Sequence, residues 1–179
     1  QADQVIVGLR HAIATDLALR AELFHQELRD VRPRYDNLYD PLGIMPELQA
    51  DRVRLDPTRA RAQGLEISLD RVRGAWNWWA AYTLSKVTDR IEGVDVARSW
   101  DQRHALQAGF SWHDERWTFS AAGSLHSGWP TTDLQLDEDD NAVPGPRNAM
   151  QLPNYAAVDL RLSRKFDVRR GTLTAFIEL

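Results

Sequence analysis

The stretch WNWWAAYTLS, residues 76–85, decides the fold, because large apolar side chains occupy every second position. One face of this stretch carries Trp76, Trp78, Ala80, Tyr82 and Leu84. Asn77, Thr83 and Ser85 lie on the opposite face, where Trp79 and Ala81 are apolar exceptions. A period of two residues is that of a β-strand with one apolar and one mostly polar face.

The same alternation recurs along the chain, in pairs of segments separated by short polar turns. The further alternating segments lie at residues 65–70, 105–112, 117–126, 156–163 and 173–179. Paired strands with short turns are antiparallel hairpins. The sequence therefore predicts an all-β protein built of antiparallel strands.

The segment at residues 17–28 is ambiguous when it is taken alone. Leu17, Leu19, Ala21 and Leu23 alternate as in a strand, whereas Leu17, Ala21, Phe24 and Leu28 share one helical face. The alternating residues Val5, Val7 and Leu9 just upstream favour a strand, with a turn at residues 14–16. We expect a hairpin here, because a consistent architecture outweighs local propensity.

Short and long connections alternate strictly between the predicted strands. Short turns fall at residues 14–16, 71–74, 113–116 and 167–171, and long connections at 29–58, 89–101 and 128–152. In an antiparallel sheet this order places every short turn at one end and every long loop at the other. Outer-membrane barrels have short periplasmic turns and long extracellular loops. This order favours transmembrane strands of an outer-membrane barrel over a soluble sheet.

Four of the seven tryptophans lie next to predicted short turns, on the apolar face of their strands. They are Trp76, Trp78, Trp112 and Trp117. Indole prefers the membrane interface because it combines a large apolar body with one N–H donor. The four tryptophans are therefore predicted to form a girdle at the periplasmic membrane interface. The same alternation predicts that a set of charged residues faces the lumen: Arg20, Glu22, Arg103, Asp159, Arg161 and Glu178.

Composition excludes several other classes of protein. No run of about 18 apolar residues exists that would span a membrane as a helix. The net charge of −4 provides no broad basic field, so nucleic acid is not an expected partner. The absence of cysteine excludes disulfides, thiolate metal sites and cysteine nucleophiles.

Motifs for catalysis or for cofactor binding do not occur in the sequence, so we expect neither enzymatic activity nor a cofactor. The five histidines are scattered, at His11, His25, His104, His113 and His126. An acidic segment at residues 137–141 has the chemistry to attract a hard cation, but its spacing is not that of an EF-hand, and a solvated loop is favoured. The sequence GWP at 128–130 opens a long loop and suits either a ring-stacking contact or a loop anchor.

Four segments carry a resemblance to a known family. They read RAQGLEI at 61–67, WAAYTLS at 79–85, SWDQRH at 99–104 and LPNYAAVDLRLS at 152–163. In this order and spacing they resemble the C-terminal barrel of TonB-dependent outer-membrane receptors. The similarity covers residues 58–179, and the residues before 58 are compatible with it.

The resemblance implies a plugged barrel of about 22 strands in the outer membrane of a Gram-negative bacterium. This chain would supply about eight of the antiparallel transmembrane strands of that larger barrel. Such receptors take up a scarce ligand, such as a ferric siderophore, cobalamin, haem or an oligosaccharide, with energy from TonB. The expected partners are TonB, through a region ahead of residue 1, the transported ligand at the loops and lumen, and membrane lipid. Residues 1–179 are interpreted as the C-terminal part of the barrel domain, without the plug domain and the last strand.

Two alternatives remain open from the sequence. One is a different outer-membrane barrel, such as a passive porin or a small eight-stranded protein. The other is a soluble β-sandwich or barrel that binds a small ligand or a protein. The chain begins at Gln1 and ends at Leu179 within an apolar alternation, and we expect it to be a piece of a longer protein.

Overall fold

The computed structural model describes residues 1–40, 45 and 48–179, and strands dominate this part of the chain. Across the described residues, no helix has the length and apolar character needed to cross a membrane. The strands are β1 (Ala2–Ala14), β2 (Leu17–Arg29), β3 (Arg34–Asn37), β4 (Arg52–Leu55), β5 (Arg59–Arg73), β6 (Trp76–Ile91), β7 (Val94–Ala97), β8 (His104–His113), β9 (Trp117–His126), β10 (Pro130–Thr131), β11 (Leu134–Leu136), β12 (Ala142–Pro144), β13 (Met150–Gln151), β14 (Tyr155–Val168) and β15 (Gly171–Glu178).

Eight long strands form one antiparallel sheet, in the order β1-β2-β5-β6-β8-β9-β14-β15, and the short β7 also pairs with β6. The order follows the chain, so each long strand pairs with the next one. Residues 17–29 form a strand, which confirms the strand interpretation over the helical one. Strands β1 and β15 are the two edges, and the described sheet does not close into a barrel.

Short turns join the long strands at one end of the sheet, which we call the turn end. The turn between β5 and β6 lies at residues 74–75, where Gly74 adopts a left-handed conformation with φ of 58°. The sequence therefore predicted this turn, at 71–74, a few residues too close to the N-terminus. Val72 and Arg73 still pair with Asn77 and Trp76, because a charged side chain such as that of Arg73 does not remove the backbone from the hydrogen-bonded ladder.

Three longer connections gather at the opposite end, the loop end, and each contains strands of its own. The first, residues 30–58, includes the β3–β4 hairpin, and the third, residues 127–154, includes β10 to β13. The second was predicted at 89–101, but β6 continues to Ile91 and turns back to pair with β7. The second connection thus spans residues 92–103.

The sheet has one apolar and one polar face, as its register shows. A row across seven strands carries Leu9, Ala21, Ile67, Tyr82, Leu106, Leu125 and Ala156 on the apolar face. The adjacent row carries Arg10, Arg20, Ser68, Ala81, Gln107, Ser124 and Ala157 on the polar face. Directly opposed residues of antiparallel strands lie on the same side, so the two rows face in opposite directions.

The apolar face is uncovered in the described structure. Val7 is 64% exposed, Val158 68% and Ile177 67%. Apart from proline and glycine, the buried apolar residues among those described are only Leu55 and Ala60. Along β6 this face runs from Trp76 to Leu84, roughly 27 Å at about 3.4 Å per residue. Leaving so much apolar surface in water is unfavourable by about 25 cal/mol per Å². The face therefore requires an apolar environment.

Candidate functional site

Polar side chains hold the three long connections together at the loop end. The Thr131 hydroxyl donates to the Tyr39 carbonyl at 2.9 Å, which joins the third connection to the first. The Asn148 side-chain amide donates to the Ala97 carbonyl at 2.7 Å, which joins the third to the second. These contacts make one layer of the three connections. We call its charged, amide and hydroxyl side chains that contact one another the loop network: Arg34, Asp36, Asp89, Arg98, Ser99, Arg147 and Asn148.

Asp89 is the most deeply buried member of the loop network, with 1% of its surface exposed. The Arg98 guanidinium donates to both of its carboxylate oxygens, at 2.6 and 3.1 Å, and Arg34 donates to one of them. Burial alone would raise the pKa of Asp89, but the hydrogen bonds from Arg98 and Arg34 outweigh it and lower that pKa. Asp89 is therefore an ionised carboxylate that links the first connection to the second.

A second carboxylate, that of Asp36, extends the loop network into the third connection. The Arg147 guanidinium lies 3.2 Å from it, the Ser99 hydroxyl 3.3 Å and the Arg34 Nε 3.4 Å. Three guanidinium groups face two carboxylates, Asp36 and Asp89, so the loop network is locally basic. Burial lowers the pKa of Arg147, although an arginine stays charged at any physiological pH.

Asp101 is a buried carboxylate of the second connection whose pKa is shifted in the opposite direction to that of Asp89. Its Oδ1 accepts the backbone N–H of Val87 at 2.8 Å, and the nearest guanidinium, that of Arg103, is 3.7 Å away. Burial dominates here and raises the pKa of Asp101. The two aspartates therefore respond differently to loss of charge, which provides a matched pair for mutagenesis.

Four rings form a row beside the loop network, which we call the aromatic row: Trp100, Trp129, His126 and Tyr155. The ring centroids of Trp100 and Trp129 are 5.1 Å apart, those of Trp129 and His126 5.2 Å, and those of His126 and Tyr155 4.9 Å. Trp100 and Tyr155 remain about half exposed at the two ends. Exposed rings of this kind can stack on a planar or ring-shaped ligand.

The tryptophans predicted to form a girdle all lie on the apolar face at the turn end. Trp76 contacts Trp112, with centroids 6.0 Å apart, and Phe110 at 5.6 Å. Trp78 is opposite Phe110 in the next row, and Trp117 lies apart, beneath the Arg164 guanidinium. Their contact with a membrane interface stays a prediction.

Five of the six charged residues predicted to face the lumen lie on strands, on the polar face. They are Arg20, Glu22, Asp159, Arg161 and Glu178. Arg20 pairs with Glu22 at 2.8 Å and Arg161 with Glu178 at 2.6 Å, but these pairs lie on distant strands and form no common site. Arg103 precedes β8 and contacts Asp101 at the loop end.

The acidic segment at 137–141 is organised as a turn. The Asp137 carboxylate accepts the backbone N–H groups of Asn141 at 2.8 Å and of Asp139 at 2.9 Å, and the Asn141 bonds lower the pKa of Asp137. No group of three or more His, Asp or Glu side chains among the described residues is arranged to hold a metal ion. His104 instead contacts the Tyr82 hydroxyl at 2.7 Å.

The sequence analysis did not predict the loop network. It did single out the SWDQRH segment, residues 99–104, for its family resemblance, and Ser99 of this segment belongs to the loop network. Ser99 and Asp101 belong to the SWDQRH segment, and both are buried. Trp129 of the aromatic row was noted as a ring-stacking candidate, but its three partner rings were not. The long connections are rich in polar residues, which indicates that polar contacts form among them. This composition does not show which side chains contact each other.

An antiparallel sheet with one uncovered apolar face, short turns at one end and packed loops at the other defines the membrane β-barrel class. A family model described as TonB dependent receptor-like, beta-barrel, matches residues 1–178. The chain belongs to this family, which confirms the resemblance of its sequence segments.

A solved structure with a similar fold is the FrpB iron transporter from Neisseria meningitidis (F3-3 variant), with a TM-score of 0.56 and 10% sequence identity. The alignment covers 99% of this chain and 26% of that chain, so this chain spans about a quarter of the transporter's length. At this identity the likeness shows the fold alone. No curated protein matches the chain.

Proposed function

We propose that the chain is part of an outer-membrane receptor of a Gram-negative bacterium that imports a scarce ligand with energy from TonB. The observation that carries this proposal is the uncovered apolar face, which lies opposite a charged polar face on a sheet of this family. A lipid-facing exterior and an aqueous lumen require these two faces. Residues 1–179 would form the C-terminal part of the barrel, and TonB would act through a plug region ahead of residue 1.

In this orientation the turn end faces the periplasm and the loop end faces the exterior. Trp76, Trp78, Trp112 and Trp117 would lie at the periplasmic membrane interface, where indole is favoured. Arg20, Glu22, Asp159, Arg161 and Glu178 would line the lumen or contact the plug, and Arg103 would lie at its outer mouth.

The ligand would first meet the aromatic row, which the loop network holds beside the outer mouth of the lumen. A ferric siderophore is the first candidate, because the similar FrpB structure is named an iron transporter. Haem, cobalamin and an oligosaccharide also present rings that suit stacking on tryptophan. Function would rest on binding and gating, without covalent chemistry.

Uptake by the intact bacterium tests this proposal. Deleting the gene is expected to abolish accumulation of one labelled ligand from a panel of ferric siderophores, haem, cobalamin and oligosaccharides. Deleting tonB in the parent strain should abolish the same uptake. Uptake that persists without TonB and rises linearly with concentration would instead indicate a passive porin, and unchanged uptake of every ligand would contradict a transport role for this panel.

A further inference from the structure

Arg164 occupies an unusual position on the apolar face at the turn end. It lies on β14 directly opposite Trp117 of β9, two residues beyond Leu162, which faces the same way. Its guanidinium carbon is 4.9 Å from the centroid of the Trp117 ring and 4.8 Å from that of Phe166. Two aromatic rings therefore hold a cation at the border of the apolar surface.

No carboxylate among the described residues pairs with Arg164, and its Nε is buried without a hydrogen-bond partner. Arg161 on the same strand differs, because it stacks on Phe176 at 4.3 Å but also pairs with Glu178 on the polar face. Arg71, on the apolar face near another turn, pairs with Asp16 at 2.9 Å. The Arg164 guanidinium thus has aromatic contacts but no acceptor for its N–H donors within the part of the chain that the structure describes.

The chain around Arg164 is strongly basic. Residues 164–170 read RKFDVRR, with four basic side chains and one acidic side chain. This segment includes the turn between β14 and β15 and belongs to the end where the tryptophans collect. A positive field beside an apolar surface favours a ligand with an anionic head and an apolar tail.

We propose that Arg164 binds the phosphate of a phospholipid headgroup in the membrane leaflet that faces the turns. The guanidinium matches two phosphate oxygens with parallel N–H donors, and Trp117 and Phe166 hold it at the level of the headgroup. The acyl chains would then lie along the exposed apolar face beside Leu162. This site rests on the membrane location given under the proposed function, and nothing in that function requires it.

Native mass spectrometry of the full-length receptor, released from vesicles of phosphatidylglycerol and phosphatidylcholine, tests the site. The wild-type protein is expected to retain phosphatidylglycerol, and Arg164→Gln to retain about fivefold less, since a neutral amide cannot replace a bidentate ion pair. Arg161→Gln is the matched control, because it removes a stacked arginine from the same strand on the other face. Its retention of phosphatidylglycerol should equal that of the wild type.

Separate outcomes test the separate parts of the inference. Equal lipid retention by Arg164→Gln and the wild type would overturn it, as would displacement of the lipid by millimolar inorganic phosphate, which would indicate a site for the free anion. If Arg164→Gln does not fold, Trp117→Leu keeps the charge but removes one ring, and unchanged retention in that variant would also overturn the site. Failure of the wild-type receptor to insert into vesicles would contradict the proposed membrane function itself.

Discussion

Replacing Asp89 by asparagine is expected to loosen all three long connections at once. The substitution keeps the volume but removes the charge that Arg34 and Arg98 share. It leaves the Arg98 guanidinium without its carboxylate partner in a part-buried layer, and Arg34 keeps only Asp36 at 3.4 Å. Breaking a buried ion pair by changing one partner costs about 3–5 kcal/mol. Limited trypsin digestion of the receptor in membranes should therefore cleave within residues 30–58, 92–103 and 127–154 much faster than in the wild type.

Asp101→Asn is the matched control for this experiment. Burial raises the pKa of Asp101, so loss of its charge removes an unfavourable desolvation, and the asparagine oxygen still accepts the Val87 N–H. Its digestion rate should equal that of the wild type. Equal digestion of Asp89→Asn and the wild type would contradict the role given to the loop network.

The pKa of Asp89 also sets the pH range of this stabilisation. Because its folded-state pKa is lowered, the stabilisation is present above the unfolded-state pKa and is lost only as the pH falls through the folded value. The connections of the wild-type protein are therefore expected to resist proteolysis in mild acid.

Replacing Gly128 by alanine is expected to displace Trp129 from the aromatic row. A Cβ atom at this position would overlap with the Leu152 carbonyl and would lie 2.8 Å from the Pro153 oxygen, so the backbone itself must move. The Leu152 N–H, which donates to the Trp129 carbonyl at 2.9 Å, should lose its protection against hydrogen–deuterium exchange. Affinity for the ligand that is proposed to stack on the aromatic row should fall by about tenfold, as expected for an overpacking cost of about 1–3 kcal/mol.

Gly123→Ala is the control for this second experiment. The nearest atom to a Cβ at Gly123 is the Ala157 oxygen at 3.8 Å, an ordinary van der Waals distance. Leu152 exchange and ligand affinity should stay at their wild-type values. If Gly128→Ala also leaves both unchanged, then the close approach of Gly128 to Leu152 does not position Trp129.

The sheet was predictable from the sequence because its two faces are a local pattern. The alternation of Trp76, Trp78, Ala80 and Tyr82 assigns each residue to a face without knowledge of its partners. The turn at 74–75 was misplaced because Arg71 and Arg73 look like loop residues although they remain in the ladder. Local polarity thus locates strand ends less accurately than strand faces.

The loop network was not predictable, because its contacts are non-local. Arg147 and Asp36 are 111 positions apart, and Arg34 and Asp89 are 55 apart. Nothing in either sequence neighbourhood distinguishes these charges from solvated ones. The aromatic row was not predictable for the same reason, since Trp100 and Trp129 come into contact only when the second and third connections pack together.

The central claim is that one face of the sheet contacts lipid and the other faces an aqueous lumen. Spin labels placed at adjacent positions of one strand test this claim most directly. Cysteines for labelling would replace Ala80 and Ala121 on the apolar face, and Ala81 and Ala122 on the polar face, in a cysteine-free full-length receptor. In membranes, labels at Ala80 and Ala121 are expected to collide with oxygen far more than with a water-soluble nickel chelate. The ratio should reverse at Ala81 and Ala122. Equal nickel accessibility at all four positions would contradict the account.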